Sequence, residues 1–263
     1  MPSSYAHYRF GTQIIPMMPA DVRGPILRQR ALFDMGLHGP DFLFYHHFLK
    51  MTPLFRLGSV YHEQGGKEFF TRCCEHLRQN PSEAAFAYLH GLLAHYCLDS
   101  SCHPLVYGMT DNTDLGHGEL EAEFDRYLMA LDGIKKPHET SVSRHMKLRK
   151  DEYEVVAGFY PDVTVKETTQ CIRNMALALQ LLTIPTAPGH AAVVAFTKMA
   201  GPITAGKVMT IGPNPRCAHL NGNMMQFYEK AVTGFPGMLE RLQNHLERNI
   251  PLDDAFAPNF DRG

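Results

Sequence analysis

Residues 83–103 read EAAFAYLHGLLAHYCLDSSCH, and this stretch decides the fold. Alanine, leucine and aromatic residues occupy every side of the helical turn without period-two alternation, which predicts a helix buried all round. His95, Asp99 and His103 step by four, and an α-helix advances about 100° and 1.5 Å per residue, so the three share one face. His90 is the internal control: five residues before His95, it is turned about 140° away and reads as a core histidine or one that supports the others from behind. Asn80 reads as the N-cap, with Pro81 at the first helical position. Pro104 reads as the end of the helix, because proline disfavours helical geometry at His103.

The next helix outward, residues 116–131, repeats the pattern. His117 and Glu121 are four apart, Asp125 continues the stripe, and Asp132-Gly133 stops the helix. Packed as antiparallel neighbours, the two helices bring their stripes together. Helical spacing also marks residues 21–33, 67–79, 165–182, 190–200 and 224–248, with a short helix at 153–160. Residues 38–66, 107–116 and 201–217 are richer in Gly, Pro, Asn and Thr and read as loops, the last of them as a lid. No internal repeat is visible. The expectation is an all-α chain forming a single helical domain over 1–263, with a metal-binding half at 1–135 and a helical packing half at 136–263.

Composition narrows the function. The 44% hydrophobic and 20% charged fractions belong to a globular protein. A formal charge of −2 and no Lys/Arg run give nucleic acid no electrostatic footprint. The opening MPSSYAHYRFG has neither a basic n-region nor an apolar core, which leads to the expectation of a cytoplasmic protein without a signal peptide. No apolar stretch approaches the roughly 20 residues of a membrane span. The six cysteines contain no C-x-x-C pair, so reduced thiols are expected.

The 15 histidines matter through their spacing. One His–Asp pair at a four-residue step is more often a hydrogen-bonded pair than a ligand set. Two consecutive helices that both carry the step point to metal. Imidazole mixed with carboxylate suits zinc, whereas an all-oxygen set suits magnesium or calcium. Two ions sharing a carboxylate can activate a hydroxide for in-line attack on phosphorus.

Five segments go further: SYAHYRFG (4–11), HGPDFLFYH (38–46), GSVYHEQ (58–64), AHYCLDSSCHP (94–104) and HGELEAEFDR (117–126). In these the chain resembles the zinc-dependent phospholipase C family, whose fold is shared with the S1/P1 nucleases. The resemblance implies a multi-helix domain with a buried cleft holding two to three zinc ions. Asp99 resembles the bridging aspartate, with His95, Asp41 and His62 completing its ion. His46 and His47 compete with His62, being nearer to Asp41, but they lie in an aromatic run. His103, His117 and Glu121 resemble the ligands of a separate zinc. The third site resembles one made by the terminal amine, His7 and Asp99. Secreted members present a tryptophan at that terminus; this chain has no Trp, and the Pro2 amine stands in for it after loss of Met1.

The activity implied is phosphodiester hydrolysis of phospholipase C type by a metal-bridging hydroxide, with Asp41 and Asp99 as catalytic residues. The substrate is then a phospholipid or another phosphodiester, met in transient contact with a membrane surface. Two alternatives are a single-strand nuclease of the same fold and a non-catalytic, zinc-stabilised protein that binds a lipid or a partner. A metal-dependent HD phosphohydrolase is disfavoured, because no adjacent His-Asp pair occurs in the chain.

Overall fold

The computed structural model describes residues 4–47, 50–183, 186–199 and 206–261, and every regular element among them is helical. The α-helices are α1 (Ser4–Ile14), α2 (Ala20–Arg28), α3 (Arg30–Gly36), α4 (Pro53–Glu63), α5 (Gly66–Gln79), α6 (Glu83–Asn112), α7 (His117–Leu131), α8 (Glu152–Gly158), α9 (Val165–Leu181), α10 (Ala187–Met199) and α11 (Asn221–Arg248). No described helix is long and apolar enough to cross a membrane.

The 30-residue α6 is the axis. Nearly every residue from Ala85 to Asp99 is buried, as expected for a helix apolar on all sides. It packs against α1, α2, α3, α5, α7, α8 and α11. Its crossing with α3 is a backbone contact: a Cβ on Gly91 would lie 2.2 Å from the Phe33 carbonyl oxygen, and one on Gly36 would lie 2.5 Å from the Tyr88 carbonyl oxygen. This close approach carries the residues after α3 onto the upper half of α6.

Several expectations about element boundaries are corrected. The cap of α6 is Ser82, whose hydroxyl accepts from Ala85 N at 3.1 Å; Asn80 is occupied closing α5, its N–H donating to His76 O. Pro104 does not end α6, which runs on to Asn112. Losing one helical hydrogen bond there is offset by the burial of Cys102, His103 and Val106 and by Ser101 Oγ donating to Phe227 O of α11. The stretch 107–116 is therefore helical as far as Asn112. Residues 21–33 form two helices that break at Gln29 (φ −114°, ψ 38°), after which α3 turns its buried face to α6.

The stretch 38–66 holds a 3-10 helix, Gly39–Tyr45, and all of α4, because Thr52-Pro53 is a cap and first position rather than a loop. The helix expected at 190–200 begins earlier, at Ala187; Ala200 and residues 201–205 of the expected lid lie outside the described residues. The six cysteines are all buried and free, as expected.

The Gly36–Gly91 contact predicts that Gly91→Ala destabilises the protein by about 3 kcal/mol or more, because backbone, not a side-chain tip, blocks the new methyl. Gly234→Ala, where a Cβ meets nothing within 4 Å inside α11, should be neutral or stabilising. Chemical denaturation of the two variants checks this; equal effects would contradict the account of the crossing.

Candidate metal centre

Three groups of ligand atoms, buried except for the partly exposed His117, line the face of α6 that carries His95, Asp99 and His103. Asp41, His62 and His95 form one; His7, His95 and Asp99 form another; His103, His117 and Glu121 form the third, each with its ligand atoms within 4.8 Å of one another. His95 is shared by the first two. Five elements supply the eight residues: α1 gives His7, the 3-10 helix gives Asp41, α4 gives His62, α6 gives three and α7 gives two.

The contacts are specific. His62 Nε2 is 2.9 Å from Asp41 Oδ1, and His95 Nε2 is 4.0 Å from Asp41 Oδ2. Asp99 sits between three imidazoles: His7 Nε2 at 3.0 Å from Oδ1, His95 Nε2 at 3.1 Å and His103 Nδ1 at 3.8 Å from Oδ2. Glu121 Oε1 lies 3.0 Å from His117 Nε2 and 3.5 Å from His103 Nε2.

The backbone decides which ring nitrogens face the centre. His62 Nδ1 is 2.7 Å from Gly58 O, His95 Nδ1 is 3.2 Å from Leu37 O, and His103 Nδ1 is 2.7 Å from Phe260 O. A carbonyl can only accept, so each Nδ1 carries a proton, and in the neutral ring Nε2 is a bare lone pair. Those lone pairs point at carboxylate oxygens, an arrangement that needs a cation or an extra proton between them. Asp41 Oδ2 and His95 Nε2 are buried without a hydrogen-bond partner. Carbonyl-backed imidazoles with buried carboxylates are the donor set of a zinc site, and the residues present fit that ion.

Local structure explains the aim of each ligand. Gly39 takes φ +40°, and its bare Cα lies against the His95 ring, where a Cβ would come within 2.2 Å of Cδ2; only glycine fits. The C-terminal segment is tied down by Gly66 N→Pro258 O and Phe260 N→His62 O and by Tyr96 OH→Pro258 O, which places the Phe260 carbonyl over His103. Because α6 continues through Pro104, His103 is interior to the helix, one turn from Asp99.

Electrostatics follow the geometry. Burial alone pushes the Asp99 carboxyl up, but His95, His103 and His7 overcome it and hold it well below the usual carboxylate range. Burial pushes the Glu121 carboxyl up, yet it too is held below that range, with His117 and His103 among the groups that lower it. His103 is buried, which lowers its pKa, yet Asp99 and Glu121 push it up to about 9. In the absence of metal these carboxylates therefore keep His103 protonated, and a bound dication would displace that proton.

Other residues fall outside the groups. Asp125 is not a ligand: its carboxylate accepts from Tyr5 N at 3.0 Å and Ala6 N at 2.8 Å, capping α1 just before His7. His46 leans on Thr52 Oγ1 at 3.2 Å, whereas His62 is the histidine beside Asp41. His90 is a core group, its Nδ1 2.7 Å from Phe86 O and its Nε2 2.6 Å from Gln243 Nε2. The terminal amine expected near His7 belongs to residues outside those described.

Sequence spacing missed three participants. His145 does not stand alone; its Nε2 is 2.6 Å from that of His38, and its ring stacks on Tyr8. Phe260 acts through a carbonyl, which leaves no trace in residue type. Lys207 lines a cleft with Glu121, Tyr45 and Asp125; burial lowers its pKa to about 8, against the pull of Glu121 and Asp41. A single lysine in a loop carries no spacing signal, so only the fold reveals it.

Comparison with known proteins places these observations. A family model described as zinc dependent phospholipase C matches residues 6–175, a span that holds all eight clustered residues. No curated protein and no solved structure matches the chain.

Two predictions follow from this geometry. Asp125→Ala should cost about 1–2 kcal/mol by uncapping α1 and lower the metal affinity of the His7 group while sparing that of His117 and Glu121; chelator titration monitored by metal content reads both.

The second concerns pH. Burial pushes His90 down to about 4 despite its donation to Phe86 O, below the unfolded value of about 6.5. On acidification the unfolded chain takes up this proton first, so stability is lost between about pH 6.5 and 4 by roughly 3 kcal/mol and then levels off. Denaturation of wild type and His90→Gln at pH 7, 5.5 and 4 should show a shallower loss in the variant; parallel curves would refute the assignment.

Proposed function

This chain belongs to the zinc-dependent phospholipase C family, and from that premise we propose that it hydrolyses the phosphodiester bond of phospholipids, releasing diacylglycerol and a phosphorylated head group. The observation that carries the reading is Asp99, buried and approached by His7, His95 and His103. One carboxylate with two oxygens and three imidazole neighbours supports reading the site as one that holds more than one ion. Zinc held by these residues would supply positive charge to the phosphoryl oxygens and would make water acidic enough to act as nucleophile near neutral pH.

The chain's own residues do the rest. Asp41 keeps Oδ1 on His62, while its buried Oδ2 has no hydrogen-bond partner; it is the group we assign to orienting and deprotonating the attacking water. Glu121 borders both the inner cavity with His7, Asp99 and His103 and the outer cleft with Tyr45 and Lys207, so substrate entering the cleft meets the centre at Glu121. The cleft walls are largely apolar, with Leu179, Leu182, Val142 and Met209. On α9, which carries Leu179 of that wall, Leu177 and Leu181 are exposed, a surface suited to transient contact with a lipid surface.

The nuclease alternative is less well supported. Phe42, next to Asp41, is packed edge-on against Tyr160, and Phe44 lies against Phe55 and His62. Phe42 is fully buried and leaves no face open for stacking a base.

Zinc-loaded protein assayed in parallel on short-chain phosphatidylcholine and single-stranded DNA tests the proposal. The expected result is phosphorylated head group from the lipid and no DNA cleavage, with Asp41→Asn and Asp99→Asn each losing at least about 10³-fold in kcat. Stoichiometric zinc with no hydrolysis of either substrate would make the site structural and the proposal wrong.

A further inference from the structure

Lys207 stands out among the basic side chains near the centre. It is half-buried and lines the outer cleft together with Glu121, Tyr45, Gly118 and Ala122. It shares that cleft with Glu121, which belongs to the ligand group of His103 and His117.

Its placement is built, not incidental. Gly206 has φ +80° and lies against Glu119 of α7, where a Cβ would come within 3.1 Å of the Glu119 backbone nitrogen. Downstream, Asn214 N donates to Glu123 Oε2 at 2.9 Å, Asn214 Nδ2 donates to Glu119 Oε1 at 2.9 Å, and Asn221 Nδ2 donates to Glu123 Oε1 at 2.8 Å. Upstream, His190 Nε2 donates to Met209 O at 2.7 Å. The segment 206–221 is thus fastened to the helix that carries His117 and Glu121, with Lys207 held on its cleft side.

We propose that Lys207 is the anion-binding residue of the cleft, donating from Nζ to a non-bridging phosphoryl oxygen of the substrate. This rests on the phosphodiesterase reading for its substrate, but the anion site itself is tested separately. An ammonium in the cleft beside Glu121 gives a monoanionic or dianionic phosphate a counter-charge supplied by the chain itself. It also gives the cleft a preference for phosphoryl groups over carboxylic esters, which carry no charge at the reacting centre.

The experiment compares wild type, Lys207→Ala, Lys207→Gln and Lys207→Arg, each zinc-loaded and each with its zinc content measured. Calorimetry reads the affinity for inorganic phosphate, and hydrolysis of short-chain phosphatidylcholine reads kcat and KM. The expected result is unchanged zinc content, phosphate affinity weakened at least about tenfold in the Ala and Gln variants, kcat/KM reduced roughly 10–100-fold, and recovery to within a few-fold in the Arg variant.

Unchanged phosphate affinity in Lys207→Ala with an active wild type would overturn the role of Lys207 and leave the hydrolase reading intact. An inactive wild type that binds phosphate in a Lys207-dependent way would do the reverse. Zinc loss in all three variants with unaltered phosphate affinity per loaded site would make Lys207 a partner of Glu121 only, and the inference would be wrong.

Discussion

The interaction on which the rest depends is the hydrogen bond from imidazole Nδ1 to a backbone carbonyl, made three times over, to Gly58, Leu37 and Phe260. A histidine free to rotate or to swap tautomers offers a metal a choice of nitrogens and an entropic penalty on binding. Here the fold has made that choice before any ion arrives. The three carbonyls come from α4, from the turn after α3 and from the C-terminal segment, so helix packing far from the centre is what aims the lone pairs. The Gly36–Gly91 crossing delivers one of them, and the anchoring of Phe260 delivers another.

This arrangement sets stability against function. Asp41, Asp99 and Glu121 are buried close together with imidazoles that cannot all donate to them. Burial lowers the His103 pKa, but Asp99 and Glu121 push it up, which favours an extra proton on that ring when no metal is bound. The core below the cluster is dense: Phe69, Phe70, Tyr96, Phe256 and Phe260 pack edge to face there. Folding and metal loading are thermodynamically linked in such a site.

The helical fold was legible in residues 83–103 and 116–131, because periodicity of 3.6 with apolar residues all round has one good solution. The four-residue steps identified which residues of α6 and α7 share a face, and the structure brings them together. Boundaries were less legible where two local signals competed. Asn80 and Ser82 can both cap, and Asn80 was already engaged at the end of α5. Pro104 signals a stop, but tertiary burial of the next turn outweighs one missing hydrogen bond. Thr52-Pro53 was hidden by its Gly- and Pro-rich surroundings. Asp125 continues the stripe of α7, yet its partner is the start of α1, a contact spanning 119 residues that no local pattern encodes. The Phe260 carbonyl and Lys207 were invisible for the same reason: one acts through backbone, the other through the place a loop is tied.

The central claim is that the three groups are metal sites assembled around Asp99. Diffraction from crystals of the protein, collected on either side of the zinc absorption edge, tests it most directly. The account predicts anomalous peaks against His62 Nε2, against His7 and Asp99, and against His117 Nε2, all vanishing below the edge. A refined structure with no zinc peak at these nitrogens, and with protons or ordered water alone bridging Asp99 to His95 and His103, would contradict it.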